Sequence, residues 1–125
     1  MAVNARAELL AQAGEDCASE YLRGLGWEIL ERNWRCRAGE LDVIALEPSA
    51  QTVVFVEVKT RSSLGFGTPL EAITDEKVNR LRQLANIWLR ANSTSWWDIR
   101  LDAVGIVMPR TGKVELTHIR GIENP

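Results

Sequence analysis

The sequence predicts an α/β fold with its elements in the order α-β-β-β-α-β-β. Three observations predict it. Apolar residues recur three to four positions apart in two stretches, as on one face of a helix. Between and after these stretches lie runs rich in Val, Ile, Leu and Trp that alternate or become wholly apolar, as strands do. Gly, Pro, Asn and Ser separate the runs. At 125 residues the chain reads as one domain spanning 1–125; such a chain buries about two thirds of the surface it exposes when unfolded.

In the first helix Asn4 is the expected cap, Leu10, Ala13, Cys17, Tyr21 and Leu25 form the apolar stripe, and Gly26 is the stop. Residues 27–34 alternate as a strand, with Ile29 and Glu31 on one side and Leu30 and Arg32 on the other, and lead into a basic loop over 33–39 carrying Arg35 and Arg37. Residues 40–46 and 52–60 read as a hairpin joined by Glu47-Pro48-Ser49-Ala50-Gln51. Gly65, Gly67 and Pro69 make 62–69 a loop. Thr74 caps a second helix whose stripe is Val78, Leu81, Ala85 and Trp88 and whose stop is Asn92. Residues 97–108 and 114–119 are the last strands, joined by a turn at Pro109-Arg110-Thr111-Gly112.

Composition excludes several classes. Hydrophobic residues make up 46% and charged residues 26%, the values of a folded globule. No stretch approaches the ~20 apolar residues of a spanning helix, and the start lacks a basic segment followed by an apolar run, so a cytoplasmic protein without membrane contact is expected. Cys17 and Cys36 stand outside any CxxC pair or zinc-ligand spacing and are expected to be reduced. Fifteen basic residues against 17 acidic ones give a net charge of -2, but from Lys77 to Trp97 the charged residues are Lys77, Arg80, Arg82 and Arg90, all positive. A single divalent cation would bring the net charge to zero.

One constellation points to chemistry. Alternation puts Phe55, Glu57 and Lys59 on one side of their strand and Val54, Val56 and Val58 on the other. In the neighbouring strand Glu40, Asp42 and Ile44 are expected to share a face, and a symmetric hairpin register would set Asp42 beside Glu57. Two adjacent carboxylates repel unless a divalent cation sits between them. With no His or Cys nearby, Mg²⁺ (or Mn²⁺) suits the donors, and Lys59 would face the water that attacks a phosphodiester. Glu15, on the polar side of the first helix, could reach the same cation.

Taken together, Gly14-Glu15-Asp16, Gly39-Glu40-Leu41-Asp42-Val43-Ile44-Ala45, Val54-Phe55-Val56-Glu57-Val58-Lys59-Thr60-Arg61, Phe66-Gly67-x-Pro69 and Lys77 resemble the bacterial YraN-like family. That family is similar to the archaeal Holliday-junction resolvases and to the PD-(D/E)xK, or restriction-endonuclease-like, nucleases. The resemblance runs from about residue 6 to residue 108. It implies a mixed central β-sheet flanked by helices and a metal-dependent endonuclease acting on DNA, including branched or flapped DNA. It makes Glu15 the helix glutamate, Asp42 and Glu57 the metal carboxylates, the Val58 carbonyl a further ligand and Lys59 the catalytic lysine. Glu40 is an additional acid, and Gly-Glu-Leu-Asp stands where Pro-Asp occurs in the superfamily name. Resolvases act as dimers, so a homodimer is the implied assembly.

Blander readings compete. Asp42 and Glu57 also fit an ion-pair ladder with Lys59 and Arg61, worth about 1 kcal/mol. Arg35, Arg37, Arg61 and Lys77 suit phosphate contacts, with Arg80 and Arg82 behind them, but a charged surface is ordinarily only solvated. The alternative function is a non-catalytic module that binds nucleic acid or protein through the same fold. His118 reads as structural, and the tryptophans as packing, with Trp34 the one placed to stack on a base.

Overall fold

The computed structural model describes residues 2–63, 65, 67–92 and 97–123, with side chains from residue 5 onward. Phe66, part of the motif quoted above, and Trp96, one of the tryptophans read as packing, fall outside this set. Two helices, α1 (Ala2–Gly24) and α2 (Asp75–Asn92), and five strands, β1 (Glu28–Cys36), β2 (Gly39–Glu47), β3 (Thr52–Arg61), β4 (Asp98–Val107) and β5 (Glu115–Ile119), occur in the predicted order. The strands form one sheet in spatial order β1-β2-β3-β4-β5. All neighbours are antiparallel except β3 and β4, which α2 connects in parallel from Thr52↔Asp98 to Arg61↔Val107. No helix among the described residues is long and apolar enough to cross a membrane.

Each face of the sheet carries its own core. On one side Ala18, Leu22 and Trp27 pack with Val43, Val54, Val56, Val58 and Val104. On the other, Leu81, Leu84, Ala85 and Trp88 of α2 cover Ile44, Phe55 and Leu101. β3 is therefore buried on both faces, and its Phe55 side is core as much as its valine side.

Several local expectations change. α1 begins at Ala2, which leaves Asn4 inside the first turn rather than capping it. The buried line of α1 runs through Gly14, Ala18 and Leu22, while Leu25 is 44% exposed. Past Gly24 the chain turns away in a Schellman arrangement: Gly26 takes φ 89°, its N–H donates to Arg23, and the Trp27 N–H donates to Leu22. Trp27 thus folds back onto Leu22 and draws its neighbours off the helical stripe. Thr74 does cap α2, its hydroxyl accepting from the Lys77 N–H at 3.2 Å.

β1 runs on to Cys36, through what was expected to be loop, and it is irregular. A bulge between Ile29 and Glu31 sends Ile29 to the α1 side and lets Glu31 accept from the Trp88 indole at 3.0 Å on the α2 side, so the two do not share a face. Asn33 takes φ 52°, opposite the unpaired Asp42. Around that point Leu41 joins the α2-side core and Val43 the α1-side core, so the alternation expected to unite Glu40, Asp42 and Ile44 breaks. Trp34 packs against the α2-side core instead of standing free. Pro69, assigned above to the loop, is buried at the start of a 3₁₀ turn over Pro69–Ala72.

Candidate functional site

The sheet forks at the predicted site. β2 and β3 pair from Glu47↔Thr52 as far as Val43↔Val56, and there the ladder stops. Beyond it β2 stays with β1 to Gly39 and β3 stays with β4 to Arg61. Asp42 and Glu57 are the next residues on the two diverging arms, in the register the hairpin predicted. The Val58 N–H, released from the ladder, donates to Asp42 Oδ2 at 2.9 Å across the fork. Because N–H and C=O of one strand residue face the same neighbour, the Val58 carbonyl is directed into the fork as well.

A cleft opens on each side. On the α1 side a volume of about 480 Å³ is lined by Ala7, Leu10 and Ala11 of α1 together with Glu15, Glu40, Asp42, Lys59, Thr60 and Arg61. On the α2 side about 280 Å³ is bounded by Glu57, Lys59, Lys77, Arg80 and Glu40. Glu40 and Lys59 line both clefts. Among the other sequence candidates, Arg35 lies at the sheet edge, ion-paired to Glu40 at 3.0 Å, and Arg37 sits at the tip of the β1–β2 turn and lines neither cleft.

Electrostatics set this site apart from an ion-pair ladder. Burial, the Asp42 charge and the hydrogen bond between the two carboxyls push Glu57 up from 4.5 to about 8, against the pull of Lys59 and Lys77. Burial also raises Asp42, helped by Glu40 and opposed by Glu57, by the Val58 N–H and by Lys59. Both carboxyls are raised together, so full ionisation of the pair is disfavoured. Burial, followed by the Asp42 charge, raises Glu15 to about 7 although Arg32 opposes it, and Glu15 Oε1 is buried with no hydrogen-bond partner. Arg61 Nε is likewise buried without one.

No group of three or more His, Cys, Asp or Glu side chains converges on one point among the described residues. The Asp42–Glu57 pair with the Val58 carbonyl still meets the requirement of Mg²⁺, which takes one or two carboxylates and completes its shell with water. Glu15 lines the same cleft as Asp42, within the space such a water would occupy.

Arg32, read above only as a strand residue, closes on Asp16 at 2.7 Å beside Glu15. His118, read above as structural, belongs to a second polar cluster whose other members the sequence did not connect to it. The His118 ring lies 2.8 Å from the fully buried Asp102 and 2.9 Å from the Tyr21 hydroxyl, while Arg100 grips Asp102 with two nitrogens and Glu47 with a third. Its readable sign was Asp102, the last charge before β4 becomes wholly apolar, two residues from Arg100 in the same strand.

Fold and site thus define a class: an α/β protein whose described residues form two helices on a mixed sheet that splits to hold two adjacent carboxyls and a lysine. The chain belongs to the uncharacterised protein family UPF0102, whose model matches residues 14–106. It is 50% identical over 113 residues to the UPF0102 protein of Mycobacterium ulcerans (strain Agy99), covering 90% of this chain and 93% of that one. With the UPF0102 protein of Mycolicibacterium smegmatis it shares 51% over 117 residues, covering 94% of each. This is the YraN-like family that the motifs resemble.

Proposed function

We propose that the chain is a metal-dependent nuclease of the restriction-endonuclease-like fold that hydrolyses DNA phosphodiesters, branched or flapped DNA included. The observation that carries this reading is the buried Asp42–Glu57 pair, brought side by side where the β2–β3 ladder ends, with the Val58 N–H bonded to Asp42. Burial and mutual repulsion make full ionisation there unfavourable until a cation enters, which is the condition of a metal site rather than of a structural ion pair.

Asp42, Glu57 and the Val58 carbonyl would hold Mg²⁺ or Mn²⁺. The ion supplies neutralisation of phosphate charge and a lowered pKa for attacking water. Lys59, reachable from both clefts, orients that water and the scissile phosphate. Glu15, on the wall of the α1-side cleft, would accept a hydrogen bond from that water. Arg61 on the α1 side and Lys77 with Arg80 on the α2 side neutralise flanking phosphates, the sequence-independent part of the affinity. With one such centre per chain, cutting both strands of a junction calls for a second copy.

The test is a cleavage panel of four-way junction, flap, duplex and single-stranded DNA and RNA at low salt with Mg²⁺ or Mn²⁺. Metal-dependent cutting by the wild type that disappears in Asp42→Asn and in Lys59→Ala is expected. Cutting retained by the double variant overturns the mechanism, and binding without cutting under any divalent ion assigns the fork to a binding module.

A further inference from the structure

α1 and β3 touch at Gly14 and Thr60. Gly14 is buried in the middle of a 23-residue helix, where glycine has no turn to make. An alanine in such a position is favoured by about 0.5–1 kcal/mol in an isolated helix. Space excludes it here. A Cβ on Gly14 would lie 1.8 Å from the Thr60 hydroxyl oxygen, 2.9 Å from Thr60 Cβ and 3.0 Å from Cγ2. Rotating Thr60 moves its hydroxyl and methyl but leaves its own Cβ in place, so no rotamer makes room. To reach ordinary carbon–carbon separations the helix would have to retreat by roughly 0.5–1 Å.

The residue after Gly14 is Glu15, which lines the α1-side cleft and has one carboxyl oxygen buried without a hydrogen-bond partner. Further along the helix Ala18 and Leu22 are anchored in the core, so a retreat at position 14 tilts the half of α1 that carries Ala7, Leu10, Ala11 and Glu15. We infer that Gly14 is a positioning residue: its missing side chain, set against Thr60, fixes the depth at which Glu15 enters the fork. The inference takes the role of Glu15 from the nuclease reading, but the contact itself can be tested without it.

The test compares wild type, Gly14→Ala, Thr60→Gly and the swap Gly14→Ala/Thr60→Gly. Carbodiimide labelling of Glu15, read by mass spectrometry on metal-free protein, reports its depth; kcat and KM of Mg²⁺-dependent cleavage report its use. Gly14→Ala is expected to raise Glu15 labelling several-fold and to lower kcat by about 10- to 100-fold with KM little changed, as for a misplaced catalytic group. The swap, which vacates the space, returns both to the values of Thr60→Gly. Unchanged labelling in Gly14→Ala, or a rise that the swap fails to reverse, overturns the inference. If Gly14→Ala does not fold, the swap decides: labelling equal to that of Thr60→Gly supports the contact, and labelling above it, or a swap that also fails to fold, refutes it. A wild type that cleaves nothing refutes the nuclease reading and leaves the labelling to judge Gly14.

Discussion

Replacing Glu57 by glutamine should stabilise the metal-free protein while abolishing its activity. The folded chain holds a proton on Glu57 up to about pH 8, whereas the unfolded chain releases it near 4.5. The folded state thus binds more protons between these values, and stability falls as pH rises through that window. Taken in full, the displacement is equivalent to about 5 kcal/mol above pH 8. The carboxyl is partly open to solvent, so about 2–3 kcal/mol should be seen. Glutamine keeps a hydrogen bond to Asp42 and cannot ionise. Urea or thermal unfolding at about pH 5 should then show little difference, and at about pH 9 should show the variant higher by roughly 10 °C. A variant equal to or less stable than wild type at the higher pH would mean that Glu57 belongs to a stabilising ion pair with Lys59 and Lys77, and the case for a metal site would go with it.

Other outcomes follow from the same geometry. Because Glu57 and Glu15 are raised to about 8 and 7, Mg²⁺ must displace protons; its affinity should climb with pH towards about 8 and level off, with proton release measurable by calorimetry in buffers of different ionisation enthalpy. Arg61→Ala and Lys77→Ala should each weaken DNA binding across all sequences and reduce the slope of log affinity against log salt by about 1. Burial pushes Asp102 up, but the bonds from His118, Arg100 and Gly121 outweigh it and hold the carboxyl below its ordinary range. That stability is present above the unfolded value of 3.8 and is lost as pH falls through the folded one. Asp102→Ala, which strands Arg100 and His118, should cost about 3–5 kcal/mol by urea unfolding while Mg²⁺ binding to the folded variant persists.

How much was legible varies with the range of the cause. The order of elements was readable because it depends on periodicity and punctuation, both local: Thr74 before Asp75 and Glu76, Gly26 after the first helix, and Pro48 between two apolar runs. The site was readable as far as it depends on alternation within β3 and on the hairpin register, which placed Glu57 and Lys59 and matched Asp42 to Glu57. Alternation failed where a backbone irregularity interrupts it. Nothing in the residue types of 29–31 or 41–43 announces that Ile29 and Glu31, or Leu41 and Val43, point to opposite faces; the pairing of whole strands decides that.

By itself, then, the sequence determined which segments are helix and strand, which carboxylates and lysine belong together, and that the second helix is cationic, because these are properties of spacing along the chain. Tertiary structure decided the rest. Packing α1 and α2 on opposite faces buried both sides of β3 and opened a cleft on each side of the fork. Burial and proximity then raised Glu15, Asp42 and Glu57 together, an effect that depends on distances no spacing encodes. The same packing tied Arg35 to Glu40, drew Tyr21, Asp102 and His118 into one network, and pressed Gly14 against Thr60, each a contact between residues remote in the chain that exists only once the sheet and helices have met.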